Sequence, residues 1–138
     1  MDYVAGFAFT SQNRKVTLIQ KQRPTWQRGL YNGVGGRIQE GERPVEAMVR
    51  EFEEEAGTKV FGWENFITLV FSGNQRVYFF RAFLSPEEAV RVRSMTDEHV
   101  VQMPIKELPH LPIIPNLSWL VPMALEREFD YVIETPIR

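Results

Sequence analysis

One run constrains the fold of this chain more than any other: Pro44-Val-Glu-Ala-Met-Val-Arg-Glu-Phe-Glu-Glu-Glu-Ala-Gly57. Pro44 suits the first turn of a helix, where its missing N–H costs nothing. Gly57 suits the position just past the end, where the backbone turns left-handed. Between them, at about 100° per residue, Val45, Met48, Val49, Phe52 and Ala56 fall on one apolar stripe. Glu51, Glu54 and Glu55 fall together on another face, because residues three and four apart are neighbours on a helix. Like charges at that spacing cost an isolated helix about 0.2–0.5 kcal/mol per pair. They also sit toward the C-terminal half, where the helix dipole disfavours anions. Two readings follow. One is a solvated acidic face. The other is a site for a hard divalent cation such as Mg²⁺, which takes oxygen ligands, keeps waters and accepts phosphate oxygens. Such an ion neutralises phosphate charge and activates water for attack.

The remainder reads as a sheet framed by two helices. Tyr3–Thr10 is an apolar strand and Ser11–Arg14 a turn. Val16–Gln22 alternates apolar with polar and completes a hairpin. Arg23–Tyr31, with Pro24, Trp26 and Gly29, reads as a loop, and Asn32–Ile38 as a short glycine-rich strand or bulge. Phe66–Ser72 and Arg76–Phe83 are strands joined at Gly73-Asn74. Val100–Ile105 is a further strand, and Asn116–Arg127 the second helix. The tail from Glu128 to Arg138 is an edge strand, an oligomer contact or a frayed end. Strands and helices interleave without a regular βαβ repeat.

Bulk properties narrow the classes. At 138 residues, one domain spanning 1–138 is expected. The net charge of −2 suggests no nucleic-acid polymer and no anionic membrane as partner. With no cysteine there is no disulfide, thiol nucleophile or zinc–thiolate centre. No apolar run approaches the roughly 20 residues of a membrane span. The N-terminus lacks the pattern of a signal peptide. A soluble cytoplasmic protein is expected, either a monomer or a homodimer.

Gly36, Glu42, Arg50, Glu51, Phe52, Glu54, Glu55 and Gly57 together match the signature of the Nudix hydrolases, Gly-x5-Glu-x7-Arg-Glu-U-x-Glu-Glu-x-Gly-U, with U a bulky apolar residue. The one departure is Thr58 in the last apolar slot. The resemblance implies an α/β/α sandwich around a mixed β-sheet, with the signature forming loop, helix and loop. It also implies Mg²⁺-dependent hydrolysis of a nucleoside diphosphate linked to another group, with Mn²⁺ able to substitute. Carried over by position, Glu51, Glu54 and Glu55 are metal ligands, joined by the carbonyl of Gly35 or Gly36. Glu51 is the candidate general base, Arg50 orients it, and Glu42 serves the loop or an outer metal shell.

Outside the signature, Asn32-Gly-Val-Gly-Gly-Arg37 is similar to the run before the helix in the MutT-like branch, which hydrolyses oxidised purine nucleoside triphosphates. There the Asn contacts the purine, a role the resemblance gives to Asn32; a simple Asn-Gly turn is the alternative. Thr96-Asp97-Glu98 resembles a step in the same branch whose Glu adds a metal ligand, here Glu98. Pro115–Pro122 keeps the proline spacing of the branch's last helix, yet Asn116 and Leu117 replace its two base-reading aspartates and Ile114 its tryptophan. Asn116 remains able to read a base edge, while Trp119 is expected in the core. Trp26 is placed to stack on a base or to lie on the surface, and Lys21 to meet a triphosphate or solvent. The expected activity is conversion of a nucleoside triphosphate, of 8-oxo-dGTP type, to a monophosphate and pyrophosphate. A nucleotide-sugar diphosphatase acting on an ADP-ribose-like compound, and a nucleotide-binding module without catalysis, are the alternatives.

Overall fold

A computed structural model describes residues 1–10 and 14–126, and the backbone of 133–136. The strands are β1 (Tyr3–Phe9), β2 (Lys15–Gln20), β3 (Tyr31–Asn32), β4 (Val34–Arg37), β5 (Glu64–Phe71), β6 (Gln75–Phe83), β7 (Val100–Pro104) and β8 (Ile133–Pro136). The helices are α1 (Pro44–Ala56), α2 (Pro86–Arg91) and α3 (Leu117–Leu125). The strands form one mixed sheet of order β3-β2-β1-β6-β5-β8, with β4 also pairing β1 and β7 pairing β2. β1 is the organising strand. It runs parallel to β6, with Tyr3 opposite Val77 and Phe9 opposite Phe83, and antiparallel to β4, with Val4 opposite Gly36.

The continuous apolar run of β1 follows from burial on both faces. Successive side chains alternate between them. Val4 and Ala8 join the layer under α1, with Met48, Phe52 and Trp63. Ala5, Phe7 and Phe9 join the opposite layer, under α3, with Leu117, Leu120 and Val121. Each fully buried large side chain contributes about 1.5–3 kcal/mol of burial free energy. Gly6 lets the α1 layer close: a methyl group there would lie 2.7 Å from the sulfur of Met48 and 2.8 Å from the ring of Trp63. The α/β/α sandwich expected from the resemblance is therefore the fold observed.

α1 begins and ends where its punctuation places it. Glu46 accepts a hydrogen bond from the Arg43 N–H at 2.8 Å. Gly57 takes φ 75°, and its N–H donates to the Glu53 carbonyl. Thr58, the off-pattern residue, is buried as a packing position should be. The turn at Gly73-Asn74 has positive φ at both residues. Other elements differ from expectation. The glycine-rich strand is two short strands broken at Gly33. α2 was not anticipated, although Ser85-Pro-Glu-Glu88 is a capping sequence: Ser85 Oγ accepts from the Glu88 N–H at 3.1 Å, and Glu88 accepts from the Ser85 N–H at 2.9 Å. α3 starts at Leu117, with Asn116 as the residue before it. In the tail, β8 lies parallel to β5 at the sheet edge, matching the edge-strand alternative. Ser11–Asn13 of the first turn and residues 127–132 and 137–138 lie outside the described residues. No helix among the described residues is long and apolar enough to cross a membrane.

Candidate active site

The site begins with two glycines on β4. A methyl group on Gly35 would strike the Val4 carbonyl, and one on Gly36 would lie 2.5 Å from the Glu51 carboxylate carbon. Only a bare backbone lets β4 pass between β1 and α1 here. Gly36 is thereby brought beside the Glu51 carboxylate.

Arg50 organises the acids around it. Its Nε and one terminal nitrogen donate to the two oxygens of Glu42 at 2.7 and 2.9 Å, a bidentate clamp. The other terminal nitrogen donates to Glu51 at 2.9 Å and to both oxygens of Glu54 at 3.3 Å. A further bond runs to the Arg37 carbonyl at 3.0 Å. Glu42 also accepts from the Gln39 N–H at 3.0 Å, so it braces the loop before α1 and Arg50 at once. The clamp raises Arg50 well above its ordinary value, and the Arg50 hydrogen bond holds Glu42 below the usual carboxylate range. Glu51 moves the other way. Burial pushes its pKa up, and the neighbouring guanidinium offsets that only in part. Burial also raises Glu55, opposed by a 3.0 Å hydrogen bond from the Thr96 hydroxyl and reinforced by the nearby Glu98 charge.

Glu98 arrives on the loop between α2 and β7 and is 4% exposed. It accepts from the N–H groups of Gln22 at 2.6 Å and Arg23 at 3.3 Å, and pairs with Lys21 at 3.3 Å. Lys21 is thus an ion-paired residue and not a solvated strand end.

A cleft of about 510 Å³ opens beside Gly35 and Gly36. Lys21, Trp26, Asn32, Gly35, Gly36 and Asn116, drawn from separate stretches of sequence, all line it. Asn32 Oδ1 accepts from the Gly33 N–H at 2.8 Å; the residue lies in β3, opposite Ile19, and lines the cleft, so the Asn-Gly pair is a strand end and not a tight turn. Asn116 Oδ1 is buried and has no hydrogen-bond partner among the described residues. Trp26 is 68% exposed. Ile114 lines the cleft, whereas Leu117 is wholly buried under the sheet. The second of the branch's two base-reading places is therefore a core position in this chain. Trp119, expected in the core, is 39% exposed and stands apart from the cleft. Sequence reasoning missed further lining residues, among them Tyr3, Phe71 and Gln75. They sit on β1 and at the β5–β6 turn, and only strand pairing brings them near Asn116.

The donor set suits a hard cation. It offers carboxylate and carbonyl oxygens, no thiol and no imidazole, and Gly36 keeps the space against Glu51 clear. Among the described residues no three acidic or histidine side chains converge as a group that could by itself hold a metal ion. That is compatible with an ion that keeps waters and takes substrate phosphates as ligands.

A carboxylate-bearing helix thus lies over a mixed sheet, with a cleft of about 510 Å³ at its side. The NUDIX domain model matches residues 2–120, and the chain belongs to that family, the Nudix hydrolases. No curated protein matches the sequence. Among solved structures the chain is similar to MutT described from the fish pathogen Aliivibrio salmonicida and from Vibrio cholerae, at 22% identity and TM-score 0.75, covering 90% of this chain and 95% of that one. It is similar to the NUDIX domain of Shewanella oneidensis NrtR complexed with ADP-ribose, at 20% identity and TM-score 0.73, covering 93% and 88%. It also resembles full NrtR complexed with a 27mer DNA, at 23% identity and TM-score 0.75, covering 91% of this chain and 61% of that one. Likeness at these identities is likeness of fold.

Proposed function

We propose that this enzyme is a Mg²⁺-dependent nucleoside triphosphate pyrophosphohydrolase of MutT-like type. Its substrates are soluble nucleotides, not nucleic-acid polymers, and its setting is the cytoplasm. The observation that carries the reading is that the expected base-facing residues and the glycines abutting Glu51 line one cleft. Glu51, Glu54 and Glu55 would hold Mg²⁺, with the Gly35 or Gly36 carbonyl. When bound, the ion supplies charge neutralisation for the phosphates and a lowered water pKa. Glu51 takes the proton of the attacking water; burial raises its pKa above the ordinary carboxylate value in the metal-free protein. Arg50 fixes its orientation. Water attacks the β-phosphorus, the bond from it to the oxygen bridging the α- and β-phosphorus breaks, and that oxygen leaves with the nucleoside monophosphate while the other product is pyrophosphate. Lys21 faces the polyphosphate and Trp26 stacks on the base. Asn32 and Asn116 contact the base edge, where the unpartnered Asn116 oxygen awaits a donor.

A nucleotide-sugar diphosphatase is the second reading, favoured by the fold likeness to a domain complexed with ADP-ribose. A hydrolysis panel separates the two. It holds common dNTPs and NTPs, 8-oxo-dGTP and ADP-ribose with Mg²⁺, and scores pyrophosphate, orthophosphate and sugar phosphate separately. Pyrophosphate release supports the first reading, and preference for 8-oxo-dGTP adds a sanitising role. A sugar phosphate from ADP-ribose alone supports the second. Glu54→Gln should abolish Mg²⁺-dependent turnover; full retention of activity would remove Glu54 from the metal site.

A further inference from the structure

The loop between α2 and β7 hangs from the last turn of α1. The final carbonyls of a helix have no partners inside it. Here the loop satisfies two of them: the Arg93 N–H donates to the Ala56 carbonyl at 3.0 Å, and the Met95 N–H to the Glu55 carbonyl at 3.2 Å. One residue further on, Thr96 Oγ1 donates to Glu55 Oε2 at 3.0 Å. Glu55 is thus held at its carbonyl and at its carboxylate by consecutive residues of one loop.

The same hydroxyl accepts from the Glu98 N–H at 3.1 Å. A threonine hydroxyl has one proton to give. Glu55 takes it, and Glu98 occupies a lone pair, so the rotor is fixed from both sides. The loop is also closed on itself, because Ser94 Oγ accepts from the Val100 N–H at 2.8 Å. Two acids from distant parts of the chain therefore share one hydroxyl. Thr96 is exposed and belongs to neither apolar layer, so its hydroxyl can be removed without opening the core.

We propose that Thr96 is a positioning residue of the metal site. It fixes the Glu55 carboxylate through Oε2, leaves Oε1 for the ion, and ties the main chain of Glu98 to the same carboxylate. It acts through Glu55. Hydrogen-bonded partners of a ligating carboxylate set its orientation, and removing one weakens metal binding by about 10- to 100-fold. The inference rests on the metal-dependent hydrolase reading above.

The test is Mn²⁺ binding to the protein without nucleotide, followed as free Mn²⁺ by electron paramagnetic resonance. Thr96→Val keeps the shape of the side chain and loses the hydroxyl; Thr96→Ser keeps the hydroxyl. Thr96→Val should weaken Mn²⁺ binding about tenfold, and Thr96→Ser should return it to within about twofold of the parent. In a Glu55→Ala background Thr96→Val should cost nothing further, because residues that act as one unit are not additive. In hydrolysis, the Mg²⁺ concentration for half-maximal rate should rise in Thr96→Val by the same factor as the Mn²⁺ dissociation constant. Unchanged Mn²⁺ affinity in Thr96→Val, no recovery in Thr96→Ser, or an undiminished loss in the Glu55→Ala background would each overturn the inference. A parent protein that binds no Mn²⁺ would overturn it together with the metal assignment. A parent that binds Mn²⁺ and hydrolyses no nucleotide would defeat the functional reading alone, and the Mn²⁺ series would still decide the role of Thr96.

Discussion

α1 and α3 cover opposite faces of one sheet and contribute to the site in opposite ways. α1 buries Ala47, Met48, Phe52 and Ala56 and keeps acids along its remaining edge. Three of them, Glu51, Glu54 and Glu55, lie within little more than one turn. α3 buries Leu117, Leu120, Val121 and Ala124, and only the residue before its first turn, Asn116, reaches the cleft. In the proposed reading the chemistry is local, written into one helix and the loop that feeds it, and recognition is assembled at a distance, from β1, loop 21–30, β4, the β5–β6 turn and the start of α3. A helix can hold acids at fixed spacing by itself. A pocket wall needs elements that only the sheet brings together.

Substitutions can break or sharpen this contrast. After the loss of turnover expected for Glu54→Gln, the next largest effect should come from Gly36→Ala. Its methyl group must displace the Glu51 carboxylate, and a displacement of about 1 Å in a reacting group costs on the order of 100-fold in rate. Steady-state kinetics should show the loss in kcat, with nucleotide binding retained. On the recognition side, Trp26→Ala should raise KM and spare kcat. Stacking of one base on an aromatic ring contributes about 1–3 kcal/mol, or roughly 5- to 150-fold in binding. An unchanged KM would mean that the base does not stack there.

The smallest effect concerns stability, and its sign runs against activity. Burial raises Glu55 above its ordinary value of 4.5. A carboxyl with a raised folded-state pKa contributes stability below the unfolded value and loses it as pH rises through the folded one. Metal-free protein should therefore lose that contribution above pH 4.5, while Glu42, held low by Arg50, loses its own only as pH falls below 4.5. Glu55→Gln keeps an acceptor for Thr96 and removes the repulsion from Glu51, worth about 0.2–0.5 kcal/mol. Thermal melts with EDTA should show a higher midpoint at neutral pH and a flatter pH profile, although hydrolysis falls.

Legibility in the sequence followed the same division. α1 was readable to the residue because Pro44 and Gly57 act locally on backbone dihedrals. α2 has an equally local start signal in Ser85 and Glu88, but it is short and buries no residue, so it lacks the apolar stripe that marks a packed helix. Trp119 and Leu117 show the limit. An apolar pattern over a short, nearly all-apolar helix does not say which side faces the sheet, and packing under β1 put Leu117 inside and left Trp119 partly out. Tyr3, Phe71 and Gln75 carry no local signal for a ligand at all.

By itself, then, the sequence determined the family, the helix that carries the acids, and the glycines that clear space for them, because each depends on spacing along a few turns of chain. Tertiary structure alone decided the cleft walls and the contact of Glu98 with loop 21–30. Those depend on strand pairing and burial, which join residues far apart in the chain and which no local spacing encodes.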